Sequence, residues 1–259
     1  MNVSGAVLDV DGTLVRGNDP IPGAPAGYRR ICEAGIDPLF VSNNPTKAPS
    51  AYVDRLGTAG YDADAERVIT AGTVTTEYLR RHHRTDDLYC IGAPGLLDQF
   101  DAAGLSTTDD VDTADALVAS IDHEFDYDDL CAGLWALDRD IPFIGTDPDI
   151  VIPAPERDVP GSGAVIRSIA AVAGREPDIV LGKPSDPAIE MIRRRLPHPP
   201  EECLVVGDRL DTDIALGARA GMTTVLVRSG VTDAEALAES EVEPDHVIDH
   251  LGEIARVID

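Results

Sequence analysis

Asp9-Val10-Asp11-Gly12-Thr13-Leu14 follows the apolar run Ala6-Val7-Leu8. Two carboxylates therefore stand at the carboxyl end of an expected first strand, the edge where open α/β sheets bind ligands. Side chains two residues apart share a face, so Asp9 and Asp11 would point the same way if strand geometry continued through Val10. Gly12 permits a turn that brings backbone N–H groups towards an anion. A pair of acids at this spacing suits a nucleophile and a general acid/base that share one metal ion. Alone, the hexapeptide also reads as an ordinary turn-rich loop. Three further segments, in order along the chain, add to it: Phe40-Val41-Ser42-Asn43-Asn44, Gly182-Lys183-Pro184 and Val205-Val206-Gly207-Asp208-Arg209-Leu210-Asp211-Thr212-Asp213.

The elements that must position these residues alternate regularly at first. Ala26 to Ala34 reads as a helix stopped by Gly35. Asp37 to Val41 reads as a strand ending at Ser42. Asn44-Pro45 is expected to open the next helix, with proline near its first position. Val68-Ile69 makes a third strand, and β-α-β-α-β favours a parallel sheet covered by helices. From about Thr73 the pattern departs. The runs Leu88–Ile91, Ala116–Ala119 and Pro142–Gly145 read as strands, and Leu130, Leu134 and Leu137 recur at helical spacing, as do Val165, Ile169 and Val172. About a hundred residues with their own strands and helices can build their own core. The first sheet is expected to resume with Ile179-Val180, followed by Cys203–Val206 and Thr224–Val227. The division expected is thus 1–73, an insert over 74–178, and 179–259.

Taken together, the four segments resemble the haloacid dehalogenase superfamily of aspartate-nucleophile phosphatases, and within it the NagD-like and p-nitrophenylphosphatase-like branch. The resemblance runs from Val7 to about Arg228. Further matching pieces in the insert are Ile91–Leu96, Asp122–Tyr127, Phe143–Asp149 and Pro160–Gly163. It implies a Rossmann-like parallel α/β core with an inserted α/β cap. It also implies a Mg2+-dependent phosphatase acting on a small-molecule phosphate ester. Asp9 would be the nucleophile and Asp11 the acid/base. Asp11 would also offer its backbone carbonyl to the metal, and Asp208 a side-chain oxygen. Asp213 would act through water or by holding its loop, and Asp211 stays a solvated or loop-structuring residue. Ser42, where relatives commonly carry threonine, would donate its hydroxyl to phosphate, and Asn43 its backbone N–H. Ser-Asn-Asn before Pro-Thr-Lys is equally a helix-capping sequence without a ligand.

Lys183 would balance Asp9 and the transferring phosphoryl group. Only Lys47 and Lys183 are lysines, and Lys47 reads as a surface residue. In the insert, Asp122, His123, Thr146 and Asp147 are the candidates for substrate selection. Thr146-Asp147-Pro148-Asp149 departs from the Thr-Asn-Pro-Asp common in relatives. Gly161-Ser162-Gly163 reads as a turn near a hinge, His82 and His83 as solvated, and Trp135 as packing. The same motifs admit a phosphotransferase or mutase that passes the phosphoryl group to a second substrate. A non-catalytic metabolite-binding protein is the other alternative, although Asp9, Asp11, Lys183 and Asp208 are all present. Caps of this kind often take part in dimerisation in relatives, which leaves a homodimer through the insert open.

Composition narrows the setting. Asp+Glu number 47 against 21 Lys+Arg, a formal net charge of −26 over 259 residues. Such a balance excludes the basic footprint that nucleic-acid binding needs. No run approaches the ~20 apolar residues of a membrane span, and an apolar strand placed so near Met1 argues against a signal peptide. A cytoplasmic protein is expected. Cys32, Cys90, Cys131 and Cys203 are far apart with no metal-site spacing, and read as reduced core residues. The acids are spread along the chain, and this acidic, lysine-poor composition suits concentrated salt, where self-repulsion is screened. The melting temperature is therefore expected to rise between about 0.1 M and about 3 M KCl. A melting curve indifferent to that change would remove the high-salt reading.

Overall fold

Gly5–Asp9 is buried at every position, as a parallel strand covered on both faces requires. In the computed structural model, which describes residues 3–153 and 157–259, it lies inside a six-stranded sheet. The order is His246–Ile248, Thr223–Val227, Cys203–Gly207, Gly5–Asp9, Asp37–Ser42, Val68–Thr70. Leu8 is in parallel register with Val206 on one side and with Phe40 on the other. From Gly5–Asp9 the chain builds the sheet outward in one direction, then returns to build it in the other. Strand connections diverge between Gly5–Asp9 and Cys203–Gly207, and such a reversal leaves a crevice at the carboxyl ends.

The chain separates into two compact units. One comprises Met1–Ser42, Pro49–Ile69 and Lys183–Asp259; the other comprises Asn43–Ala48 and Thr70–Gly182. In the first unit, helix Ala24–Glu33 buries Ala24, Gly27, Tyr28 and Ile31 along one stripe. Gly27 is there for contact: a Cβ on it would stand 2.1 Å from the Leu251 carbonyl oxygen. Ala6, Leu8, Phe40, Leu204, Val206 and Val225 belong to the core that this helix covers.

The second unit is built on a five-stranded sheet in the order Ile179–Val180, Phe143–Gly145, Ala116–Ala119, Asp87–Ile91, Ser106–Thr108. Each neighbouring pair of strands in it is parallel. Helices Tyr127–Leu137 and Ser162–Ala173 contribute Ala136, Val165, Ile166 and Ile169 to its core, beside Ile91, Leu117 and Phe143. No helix among the described residues is long and apolar enough to cross a membrane.

Five local expectations are corrected. Ile179–Val180 does not resume the first sheet but pairs with Ile144 and Gly145 at the edge of the second. An apolar dipeptide fits either sheet, so only long-range pairing decides. Asn44-Pro45 does not open a helix. Asn44 Oδ1 instead accepts from the N–H groups of Thr46 and Lys47 at 3.0 and 2.9 Å, and the helix starts at Pro49. This turn belongs to the second unit because Gly72 and Gly95 leave room for the carbonyls of Pro45 and Thr46, which a Cβ would meet at 2.3 and 2.4 Å. Trp135 is not packed inside but 55 % exposed, and Cys32 is exposed as well. His82 is exposed, whereas His83 is half-buried with Nδ1 2.9 Å from Asp86 Oδ2.

Gly27→Ala is expected to cost about 1–3 kcal/mol, the usual range for an overfilled contact, read as a lowered urea midpoint at unchanged slope. Wild-type stability in that variant would show that the Leu251 carbonyl can move away freely.

Candidate active site

The site grows from the carboxyl ends of Gly5–Asp9 and Cys203–Gly207. Asp9 is the last residue of its strand and only 7 % exposed. Lys183, 3 % exposed, reaches three acceptors: Asp9 Oδ1 at 2.6 Å, Asp213 Oδ1 at 2.6 Å and the Val41 carbonyl at 3.1 Å. Asp213 is placed by the wide turn Leu210–Ile214. Its second oxygen accepts from the N–H groups of Asp208 and Arg209 at 3.1 and 3.0 Å. Asp208 follows the strand end Gly207 and accepts at Oδ2 from the Val231 N–H at 2.8 Å. Its carboxylate fits only because Gly12 and Gly230 lack side chains; a Cβ on either would lie 2.3 or 1.8 Å from Asp208 Oδ2.

Asp9, Asp208 and Asp213 each offer an oxygen, and these oxygens lie within 4.8 Å of one another. Burial raises the Asp9 carboxyl well above its ordinary range; Lys183 pulls it back, while Asp213 and Asp208 push it further up. Burial, then Asp213, raises Asp208 to about 7, against the Val231 N–H, Arg209 and Lys183. Burial opposes the charge on Lys183, but Asp213 and Asp9 outweigh it and raise that group. With all groups ionised, three carboxylates face one ammonium, an excess of two negative charges. Among the described residues Asp9 Oδ2 is buried without a hydrogen-bond partner. An orphaned carboxylate oxygen and a double negative excess fit a divalent cation with oxygen ligands.

The expected pairing of Asp9 and Asp11 on one face is not what the chain does. The strand ends at Asp9, Gly12 takes φ 92°, and the Leu14 N–H returns to the Val10 carbonyl at 2.9 Å. The Asp11 side chain is 52 % exposed and pairs with Arg55 at 2.5 Å. Ser42, at the end of the neighbouring strand, is 4 % exposed with its hydroxyl 2.9 Å from the Tyr52 hydroxyl. Asn43 follows directly in sequence and is counted with the second unit, where its Nδ2 donates to Asp149 Oδ1 at 3.3 Å. Arg55, Tyr52 and the Ser229–Thr232 segment around Asp208 were not anticipated. An arginine and a tyrosine on an amphipathic helix carry no local mark of such contacts.

In the second unit, Asp122 caps a turn, accepting from the Glu124 N–H at 2.9 Å, and His123 is exposed. Gly161 and Gly163 accommodate the Asp149 and Pro148 carbonyls, each 2.3 Å from where a Cβ would be. Thr146 and Asp147 are 0 % and 1 % exposed. Neither is displayed to solvent, so any influence on substrate runs through the loop they brace.

A haloacid dehalogenase-like hydrolase family model matches residues 6–106, and a HAD-hydrolase-like model matches residues 180–254. The 5'-nucleotidase YutF of Bacillus subtilis is 32 % identical over 96 % of each chain. An acid sugar phosphatase of Staphylococcus haemolyticus is 31 % identical over 95 % of this chain and 92 % of its own. Among solved structures, the p-nitrophenyl phosphatase of Archaeoglobus fulgidus superposes with TM-score 0.91 at 30 % identity, covering 99 % of both chains. NagD of E. coli gives 0.85 at 27 %, covering 98 % of this chain and 99 % of its own. The chain belongs to the haloacid dehalogenase-like hydrolases, among the NagD-like phosphatases.

The surroundings of Asp147 suit a neutral carboxyl as well as a carboxamide. Thr146 Oγ1 lies 2.9 Å from Ser120 Oγ and 3.1 Å from Asp147 Oδ2, and Asp147 Oδ1 accepts from the Asp149 N–H at 3.2 Å. Burial, then the Asp149 charge, raises its carboxyl to about 8. The Thr146 hydroxyl donates to Asp147 Oδ2, an acceptor that a protonated carboxyl and a carboxamide both keep. Because the folded value is raised, the native state holds a proton that the unfolded chain loses. Stability contributed by Asp147 is complete below the ordinary value of 3.8 and is lost as pH rises to about 8. Asp147→Asn is expected to melt with wild type near pH 4 and to gain on it by up to about 1.4 kcal/mol per pH unit above that. A difference in melting temperature that stays constant with pH would show Asp147 to be ionised in the fold.

Proposed function

We propose that the chain is a Mg2+-dependent phosphatase that hydrolyses small-molecule phosphate monoesters through an aspartyl-phosphate on Asp9. The observation that carries this is the buried contact of Lys183 with both Asp9 and Asp213, beside an Asp9 oxygen, Oδ2, without a hydrogen-bond partner among the described residues. An anionic ester must approach a carboxylate nucleophile, and that repulsion has to be cancelled. Lys183 supplies one positive charge. Asp9, Asp208 and the backbone carbonyl of Asp11 would hold Mg2+, which when bound supplies the remaining charge neutralisation. Asp213, with both oxygens engaged, orients Lys183 and the Asp208 loop.

In the first step Asp9 attacks phosphorus, the bond to the leaving oxygen breaks, and Asp11 gives that oxygen its proton. In the second, Asp11 takes a proton from water, which attacks the phosphorus and restores the Asp9 carboxylate. The Ser42 hydroxyl and the Asn43 N–H donate to the phosphoryl oxygens. The nucleophile, acid/base, lysine and acidic cluster all lie in the first unit. The second unit is then the cap that selects among esters. The relatives' names point to nucleotides and sugar phosphates as substrates to test first.

The test is release of phosphate from p-nitrophenyl phosphate with and without Mg2+ in concentrated KCl, followed by a panel of sugar phosphates, nucleotides, glycerol phosphate, phosphoglycolate and pyridoxal phosphate. Asp9→Asn is expected to reduce turnover to background with the circular dichroism unchanged. Asp208→Asn is expected to raise the Mg2+ concentration for half-maximal rate by about tenfold or more. Activity at the wild-type level in Asp9→Asn, or turnover indifferent to chelation, would remove this reading.

A further inference from the structure

Asp11 stands on an exposed loop, where a free carboxylate samples many positions, and only a fixed one can serve as a proton donor. Its fixed partner is Arg55, on helix Pro49–Thr58. The Arg55 side chain is 11 % exposed, and its Nη2 lies 2.5 Å from Asp11 Oδ1. The same guanidinium donates from Nε to the Gly17 carbonyl at 2.9 Å, and from Nη2 to that carbonyl as well. Gly17, at φ 61°, lies in the turn of the hairpin whose short strands are Val15–Arg16 and Asp19–Pro20. Arg55 also lies over the Tyr52 ring, 5.7 Å from its centroid, and the Tyr52 hydroxyl meets Ser42 Oγ at 2.9 Å. One arginine thus touches the acid/base, the hairpin beyond it and the ring that braces a phosphate donor.

We propose that Arg55 is the positioning residue for Asp11: it holds Oδ1 and the hairpin turn so that Oδ2 is presented to the leaving oxygen. This rests on the phosphatase reading above. An exposed ion pair would carry little weight. This guanidinium is nearly enclosed and engaged with two acceptors, a fork that a lysine reproduces only in part. In the balanced step, the proton on Asp11 Oδ2 passes to the ester oxygen as the P–O bond breaks, and the proton of the attacking water later restores it. Arg55 exchanges no proton.

The leaving group separates positioning from mere stabilisation. p-Nitrophenolate departs with little help, whereas the alkoxide of glycerol phosphate needs a proton. Arg55→Ala is expected to lower kcat on glycerol phosphate at least ~10-fold more than on p-nitrophenyl phosphate, part of the 10²–10⁴ that general acids supply. KM should change little, Arg55→Lys should recover part of the loss, and Asp11→Asn should show the same ester dependence. In Arg55→Ala/Asp11→Asn the ratio between the two esters should be no worse than in Asp11→Asn alone. Equal losses on both esters, a change confined to KM, or additive losses in the double variant would overturn the proposal.

Hydrogen exchange reads the same contact without turnover. Amides of residues 11–19 should exchange faster in Arg55→Ala and partly recover in Arg55→Lys; unchanged exchange overturns the positioning role. If wild type hydrolysed neither ester, the phosphatase reading would fall. The exchange result would then still decide whether Arg55 holds this segment.

Discussion

Lys183 Nζ lies 2.6 Å from Asp9 Oδ1 and 2.6 Å from Asp213 Oδ1, with 3 % of its side chain open to solvent. Three carboxylates cannot stay charged together in a space shut off from water unless cations sit among them. The rest of the first unit serves that constraint. The parallel register brings Leu8, Phe40 and Val206 level, which sets the strand end at Asp9 near those that lead to Ser42 and Asp208. Burying charge there costs stability. The Asp208, Arg209 and Val231 N–H groups offset part of it by donating to the acids.

Glycines decide how closely these acids can gather. A Cβ at Gly207 would lie 2.2 Å from Asp213 Cβ, and those at Gly12 and Gly230 would lie 2.3 and 1.8 Å from Asp208 Oδ2. Gly12 has the further reason of its φ of 92°, which L side chains rarely adopt. The motif spacing and the packing are therefore one fact. Gly-Asp at 207–208 ends a strand and leaves room for Asp213 to turn back under it.

Much of this was legible because the signals are local. Apolar runs ending in Asp9, Ser42 and Gly207 mark strand ends, and the scarcity of lysine singles out Lys183. What was not legible depends on partners distant in sequence. Ile179-Val180 looks the same whether it joins the first sheet or the second. The 43–48 turn joins the second unit through Gly72, Gly95 and Gln99, the last donating to the Pro45 carbonyl at 2.9 Å. Nothing local in the sequence marks Arg55 for its contact with Asp11, and Asp147, a candidate for substrate selection, shows its burial only in the fold. Asp9 and Asp11 share a strand-like spacing, but pleating ends at Asp9 and the turn after it sends the second carboxylate to Arg55.

The two lysines show what geometry demands within an arginine-rich set of cations. Lys47 is exposed to solvent. Lys183 must meet Asp9, Asp213 and the Val41 carbonyl at 2.6, 2.6 and 3.1 Å from a single nitrogen. A compact point donor with three N–H groups can do that; a planar guanidinium spreads its donors over a fork and needs more room. Arginine suits the other half of the site for the same reason. Arg55 bonds Asp11 and the Gly17 carbonyl side by side while its Cζ lies over the Tyr52 ring. Converging acceptors therefore take the lysine, and acceptors set side by side take the arginine.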